Sequence, residues 1–284
     1  MNNENSSETK NNDIGLVLCG GGVYGSVLLG ALESMQLVKL NIRIIVGTSS
    51  GAIIGTLLCV GYTPREILEI VKSNLPVIST DSIDIARLFS EYGLYSNVKF
   101  IEVVTRMIEK KTNGIVPTFS QLYDMFEKKE LIITGTNVST QSVAYFNRTT
   151  SPDMSVMDAL KISTCIPFVF PYVRYDGDVY VDGGLTDNLP TEYANEYMQK
   201  HMNENITLHT FNLKYTYPVK PTSLLNFVMC IMKLFANGGS NSRVIQADKQ
   251  WFTHNVPVNI ICPFTTVNPK DIEALFQCGL EYKP

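Results

Sequence analysis

Length, composition and charge exclude some classes of protein before any motif is considered. The chain has 284 residues, 45% of them hydrophobic, which is enough for a sizeable core and fits one large domain. It carries 23 Lys and Arg against 27 Asp and Glu, and its basic pairs, Lys110–Lys111 and Lys128–Lys129, are isolated. A nucleic-acid partner is therefore not expected.

The beginning of the chain is polar and rich in Asn, Glu and Ser, with no apolar segment of the kind found in secretory signals. We predict a disordered tail over 1–12, a single domain over 13–284 and a cytoplasmic location. The longest apolar window, Leu224–Phe235, spans 12 residues and is too short to cross a bilayer. It predicts a core helix, with an interfacial role as the alternative.

The cysteines show no pattern of metal or redox chemistry. There is no C-x-x-C, and none of the six is spaced for metal binding with the three histidines. We predict buried free thiols, no metal and no other cofactor. The six are Cys19, Cys59, Cys165, Cys230, Cys262 and Cys278.

Strand and helix signals alternate from the first apolar run onward. Ile14–Leu18 and Ile42–Val46 are short apolar runs that predict buried strands. Ser26–Leu40, which lies between them, has apolar residues at helical spacing and predicts a helix. The small apolar segment that follows the second strand and ends at Cys59 predicts another helix.

The next helix has a clear start, with Thr63 as N-cap, Pro64 in the first turn and Glu66 completing a capping box. Helices between the early strands imply that these strands are parallel and that both faces of the sheet are covered. Further strands are predicted at Leu131–Val138, Thr207–Leu213 and Val258–Cys262. The whole pattern predicts an α/β fold.

A glycine-rich loop, LCGGGVYGSV, follows the first strand and has two interpretations. Gly20, Gly22 and Gly25 match the dinucleotide fingerprint G-x-G-x-x-G. That fingerprint needs an acidic residue at the end of the second strand, and the strand here ends in Val-Gly-Thr; Glu33 falls inside the first helix. The other interpretation is a set of bare N–H groups that bind a reaction oxyanion.

The end of the second strand favours the oxyanion interpretation. Gly47–Gly51 is a G-x-S-x-G nucleophile elbow, placed after a predicted strand and before a predicted helix, and it presents Ser49. The elbow comes earlier in the chain than in a usual α/β-hydrolase. If the two strands are adjacent and parallel, the loop over Gly20–Gly22 and Ser49 emerge at the same edge of the sheet.

A base for Ser49 is sought among the histidines and carboxylates. His201 lies on a polar helix, His209 inside a strand pattern, and His254 near the C-terminal strand, so none is placed as an obvious base. Asp182 follows an Asp-Gly hairpin turn and an alternating strand and leads into a glycine bend. Asp187 competes, but a cap for the helix from Thr191 is its simpler role. Asp182 is the preferred base.

Together these motifs resemble the patatin-like phospholipase family. Its glycine-rich oxyanion loop matches Gly20–Gly25, its elbow matches Gly47–Gly51, and its D-G-G motif matches Asp182–Gly184. Family-like stretches also occur at Gly93–Tyr95, Pro117–Ser139 and Ile162–Pro171. The resemblance covers roughly Ile14 to Pro190 and is weak beyond that point.

The resemblance implies a three-layer α/β/α sandwich with a mostly parallel sheet and lipid acyl hydrolysis by a Ser-Asp dyad. Ser49 would be the nucleophile, Asp182 the base, and Gly20, Gly21 and Gly22 the oxyanion hole. The reaction would pass through an acyl-enzyme and need no calcium. The implied partner is a membrane phospholipid or another acyl lipid, reached by transient contact with a membrane surface.

One departure from the family concerns the substrate more than the chemistry. The family carries Arg or Lys before the last glycine of the loop, where this chain has Tyr24. This change would weaken binding of anionic lipids or shift preference to neutral esters, unless Arg43 or Arg174 compensates. The alternatives are a catalytically silent, lipid-binding regulator of the same fold and a dinucleotide-binding protein; an activating partner is also left open.

Overall fold

The protein was analysed as a computed structural model that describes residues 13–78, 83–202, 205–216, 251–260 and 267–284, together with five positions between 227 and 234. The tail predicted over 1–12 lies outside the described residues. Most of the apolar window Leu224–Phe235 does so as well, and two large side chains described there, Phe227 and Leu234, are exposed.

Eight strands of the described chain form one mixed sheet in the order β5-β6-β3-β2-β1-β7-β8, with β4 paired to β3. Their order along the sheet does not follow the chain, because helices connect the early strands. The strands are β1 (Asp13–Leu18), β2 (Asn41–Thr48), β3 (Glu130–Asn137), β4 (Ser142–Phe146), β5 (Val173–Tyr175), β6 (Asp178–Asp182), β7 (Thr207–Tyr215) and β8 (Trp251–Val258).

The sheet is parallel from β3 through β2, β1 and β7 to β8, and antiparallel where β4, β6 and β5 join. β3 changes partner along its length: its pairing with β2 ends at Thr134 opposite Thr48, and its pairing with β6 begins at Gly135 opposite Asp182. Consecutive residues of β3 therefore bring the end of β2 next to the end of β6.

Helices cover both faces of the sheet. The larger core joins one face to α1, α2, α3, α5, α7 and α9, and a smaller core packs α8 through Ala194, Tyr197 and Met198 against Val17 and Ile44. The helices are α1 (Gly25–Met35), α2 (Ser50–Cys59), α3 (Pro64–Ile78), α4 (Ile85–Glu91), α5 (Val98–Lys111), α6 (Phe119–Met125), α7 (Val156–Thr164), α8 (Thr191–His201) and α9 (Pro269–Leu280). This is the three-layer α/β/α arrangement predicted from the sequence. None of the described helices is both long and apolar enough to cross a membrane.

Most predicted elements are present within two residues at each end, and two elements, the first helix and the last predicted strand, differ by more. The first helix ends at Met35 because Gln36 adopts a left-handed conformation, φ 54°, which stops it before a short 3-10 turn. The last described strand is Trp251–Val258, so it shares only Val258 with the strand predicted over Val258–Cys262, of which positions 261 and 262 lie outside the described residues. Pro257 lies inside this strand, and a proline usually argues against a strand because it has no N–H. It is tolerated here because β8 lies at the end of the described strand order.

Candidate active site

Ser49 occupies a strained turn between β2 and α2. Its backbone has φ 53° and ψ −121°, a conformation that non-glycine residues rarely adopt. A Cβ on Gly51 would lie 2.3 Å from the carbonyl oxygen of Leu18, so a bare residue is needed there for the turn to pack on β1. The strain presents the serine hydroxyl at the carboxyl end of the parallel strands.

The hydroxyl of Ser49 contacts the carboxylate of Asp182 directly. Ser49 Oγ donates to Asp182 Oδ2 at 2.7 Å, and the N–H of Gly184 donates to Asp182 Oδ1, also at 2.7 Å. Both side chains are buried. The glycine bend after β6 thus orients one carboxylate oxygen and leaves the other facing the serine. The two residues singled out by motif are brought together.

Burial changes the acid strength of Asp182. Removal from water raises its pKa to about 7, against the opposing effects of the hydrogen bonds from Gly184 and Ser49. A pKa near neutrality makes a carboxylate a competent general base at physiological pH, because it combines ionisation with appreciable proton affinity.

Ser163 is a supporting residue whose role the motifs did not reveal. Its Oγ accepts the N–H of Ser49 at 2.8 Å, and it is fully buried on α7. The backbone of Ser49 is therefore held by α7, a different helix from α2, which begins directly after Ser49. Ser163 lies in a family-like stretch, but no spacing rule pointed to this contact.

The glycine loop packs closely between Asn188 and the start of α2, which leaves no room for side chains. The N–H of Gly20 donates to the carbonyl oxygen of Asn188 at 3.4 Å, and the N–H of Gly21 donates to Ser50 Oγ at 3.0 Å. A Cβ on Gly20 would lie 2.6 Å from Asn188 Oδ1. Gly22 has φ 57° and reaches the cavity beside Ser49. Two of the three predicted oxyanion donors thus have internal acceptors.

A cavity of about 400 Å³ is lined by Ser49 and by residues of α2, α3 and α5. Its size lies within the range of small-molecule sites. No described residue that lines it is charged, and most are aliphatic. Ser50, Ile53 and Leu57, on one face of α2, follow it for about 10 Å at the helical rise. Such a space suits a hydrocarbon chain whose ester carbonyl lies at the serine.

Comparison with known proteins identifies the family. The sequence profile of the Patatin-like phospholipase family matches residues 16–195. The chain belongs to this family. It is therefore a hydrolase, and family membership together with a relative named as a lipid hydrolase supports activity on lipids.

Relatives of this patatin-like protein include viral proteins. It is 29% identical over 279 residues to uncharacterized protein R571 of Acanthamoeba polyphaga mimivirus, covering 94% of this chain and 91% of that protein. It is 35% identical to probable lipid hydrolase 463L of Invertebrate iridescent virus 6, covering 65% of this chain and 64% of that protein. The crystal structure of VipD from Legionella pneumophila shares the fold, with a TM-score of 0.56 at 14% identity, over 95% of this chain and 66% of that one.

Asp187 of this patatin-like chain does not cap a helix, which corrects the simpler role expected for it. α8 has no side-chain cap at its start. The carboxylate of Asp187 instead accepts the hydroxyl of Tyr145 at 2.6 Å, and its carbonyl accepts Thr48 Oγ1 at 3.1 Å. Burial raises the pKa of Asp187. Asp187 thus links Tyr145 on β4 to Thr48, the residue before Ser49.

The histidines lie away from Ser49 in the described structure. His209 and His254 face each other on β7 and β8, with Nδ1 and Nε2 3.0 Å apart. His201 is the last residue of α8. None of the three lines the cavity as described. The geometry therefore agrees with a carboxylate as the partner of the serine.

Tyr24, which replaces the family's basic residue, packs edge-on against Tyr215 at 5.3 Å between ring centroids. Neither Arg43 nor Arg174 is among the described residues that line the cavity. Arg43 lies six residues before Ser49 along β2, about 20 Å away for an extended chain. The guanidinium of Arg174 lies over the ring of Tyr172 instead.

Proposed function

We propose that this chain hydrolyses fatty-acyl esters of phospholipids or related lipids, with Ser49 as nucleophile and Asp182 as general base. The observation that carries the proposal is the 2.7 Å hydrogen bond from Ser49 to Asp182 beside a cavity whose described lining includes Ser49, has no charged residue and is largely aliphatic. The relative named as a probable lipid hydrolase supports it.

In the first half of the reaction, Asp182 Oδ2 accepts the proton of Ser49 as Oγ attacks the acyl carbonyl carbon. The carbonyl π electrons move to oxygen and form a tetrahedral oxyanion. When the C–O bond to the leaving alcohol breaks, the proton passes from Asp182 to that oxygen. The products are a free alcohol and an ester between the acyl group and Ser49.

In the second half, Asp182 accepts a proton from water as the water oxygen attacks the acyl-enzyme. Collapse of the second tetrahedral intermediate breaks the bond to Ser49 Oγ, which takes the proton back from Asp182. A fatty acid leaves, and serine and carboxylate return to their starting state. One residue pair thus serves both steps without a histidine.

The oxyanion would be stabilised by the glycine loop and by the positive end of α2, which starts directly after Ser49. Gly22 is the best-placed of the three predicted donors, since it lines the cavity with Ser49. Gly21 would contribute by turning its N–H from Ser50 to the substrate. Gly20 is the least suited, because Asn188 accepts its N–H.

The test measures fatty-acid release from mixed phospholipid vesicles in the presence of excess chelator, which also tests calcium independence. Ser49→Ala and Asp182→Asn should each reduce release by roughly a thousandfold or more. Ser73→Ala and Asp124→Asn are matched controls on exposed helix positions and should leave the rate unchanged.

Release that survives Ser49→Ala would contradict the assignment of the nucleophile. Vesicle association without release by the folded parent would favour a lipid-binding protein of the same fold. Circular dichroism of each variant excludes unfolding as the cause.

A further inference from the structure

A group of large apolar side chains is exposed beside the cavity. Ile83, Ile85, Phe89, Tyr92 and Phe168, here called the apolar rim, are each between 58% and 79% exposed. Ile85 and Phe89 lie four residues apart and therefore on one face of α4. α4 has no buried residue. Single exposed hydrophobics need no explanation, but five large ones on neighbouring segments do.

The rim is a connected part of the structure. The N–H of Leu94 donates to the carbonyl of Phe168 at 3.0 Å, and the N–H of Asp84, just before α4, donates to the carbonyl of Leu94 at 2.9 Å. The rings of Tyr92 and Tyr172 contact at 5.6 Å. The segment around α4 and the segment around Phe168 therefore present one surface.

Phe168 is held in an unfavourable backbone conformation at the tip of a tight turn. Its φ is 65°, a genuine outlier for a bulky residue, and the N–H groups of Val169 and Phe170 both donate to the carbonyl of Ile166. The turn directs Phe168 outward while Ile166 and Val169 line the cavity. Strain retained to expose an aromatic ring to water suggests that the ring has a binding role.

The rim borders the cavity directly. Ile83 belongs to both, and Tyr95 on the same segment lines the cavity. A lipid leaving a bilayer for the cavity would thus pass over apolar side chains. We propose that the apolar rim inserts into the surface of a lipid bilayer and places the cavity mouth against it; this inference rests on the proposed lipid hydrolysis.

The charges on the rim favour insertion over electrostatic attraction. Arg87 on α4 is flanked by Asp84 and Glu91, each with an oxygen 3.7 Å from the guanidinium. The helix therefore contributes no excess positive charge toward anionic headgroups. Binding should occur on uncharged phosphatidylcholine surfaces and depend little on salt, because it rests on burial of apolar area.

The test uses flotation with phosphatidylcholine vesicles at low and high salt, in the Ser49→Ala background so that no lipid is consumed. Combined Ile85→Gln and Phe89→Gln should weaken vesicle binding at least tenfold. Glutamine keeps the net charge and favours helix. Phe252→Gln, at an exposed phenylalanine on the edge strand β8, is the matched control and should bind normally.

With Ser49 present, the rim variant should also retain hydrolysis of a water-soluble short-chain ester while losing release from vesicles. Unchanged vesicle binding by the rim variant would overturn the proposal, as would binding that requires anionic lipid and disappears at high salt. A lipid-free dimer that the rim variant dissociates would assign the surface to a second copy instead. If no ester is cleaved but binding still depends on the rim, the proposed hydrolysis fails and the docking surface stands.

Discussion

Asn188 holds Gly20 through both its main chain and its side chain. Its carbonyl accepts the N–H of Gly20, and its side-chain amide donates to the carbonyl of Gly20 at 3.3 Å. Because Asn188 follows Asp182 by six residues, the segment that carries the proposed base also sets the position of the glycine loop. The glycine loop and the segment that carries Asp182 are thus held together by hydrogen bonds.

Asn188→Ala should release the loop and lower kcat by roughly tenfold to a hundredfold, with little change in KM. A loop that moves by a fraction of an ångström loses transition-state stabilisation while the acyl cavity still binds substrate. Steady-state kinetics on a soluble ester measure both constants. Asn212→Ala, which also removes an amide hydrogen bond, is the control. A rise in KM at constant kcat would show that Asn188 binds substrate instead.

Protonation of Asp182 should lower the rate of ester hydrolysis at acidic pH. Because burial raises its pKa to about 7, the carboxylate form needed to accept the serine proton disappears below neutrality. On a neutral ester, kcat/KM should fall by about tenfold per pH unit below pH 7 and level off above it. A profile that remains flat down to pH 5 would exclude Asp182 as the titrating base.

The same carboxyl makes stability depend on pH. In the folded state the pKa of Asp182 is about 7, against an ordinary value of 3.8 in the unfolded chain, so the stability gained from this proton is complete below pH 3.8 and is lost as pH rises through 7. Asp182→Asn has no such proton to lose. It should therefore be more stable than the parent at pH 8, by up to about 4 kcal/mol, and similar to it at pH 4. Urea unfolding at both pH values measures the difference; an equal gap at both would disprove it.

The α/β fold and the turns that carry Ser49 and Asp182 could be predicted from the sequence, because strand-helix alternation and glycine turns are local signals. The elbow at Ser49 and the bend after Asp182 require glycines at fixed offsets, and the strand-helix alternation predicts where these turns lie. The contact between the two depends on how β3 changes partner from β2 to β6, which is long-range information. The roles of Ser163 and Asn188 were missed for the same reason, since each acts through residues far along the chain.

The role of Asp187 could not be predicted from its local sequence. A carboxylate shortly before a helix favours a cap, yet tertiary packing supplied a better partner in Tyr145 and left the start of α8 without a side-chain cap. β8 was misplaced for a related reason, because a proline argues against a strand unless its place in the sheet is known.

The histidine pair should affect acid stability and not catalysis. Burial, followed by the neighbouring charge of His209, lowers the pKa of His254 to about 4, and the hydroxyl of Tyr282 lies 3.5 Å from its Nδ1. The folded state thus favours neutral His254, so the contribution of His254 to stability should be lost as pH falls from 6.5 to 4, by up to about 3 kcal/mol, opposite in sign to the contribution of Asp182 over that range. In thermal melts, His254→Gln should therefore become more stable relative to the parent as pH falls from 6.5 to 4, and it should leave ester cleavage at pH 7.5 intact. Loss of ester cleavage by the folded variant would contradict the assignment of Asp182 as the base.

The direction of the acyl chain can be tested at the far end of the α2 face. Leu57 lines the cavity about 10 Å along the helix from Ser50, so a larger side chain there shortens the available space. Leu57→Phe should lower kcat/KM for long-chain esters by about tenfold relative to short-chain esters, which do not reach that depth. Leu57→Met keeps the volume nearly constant and should leave the ratio unchanged. Because Phe in place of Leu also strains the core, the decisive quantity is the ratio of kcat/KM between long-chain and short-chain esters. A uniform loss on all esters would reflect destabilisation of the protein. An unchanged ratio in a folded variant would show that the acyl chain does not lie along α2.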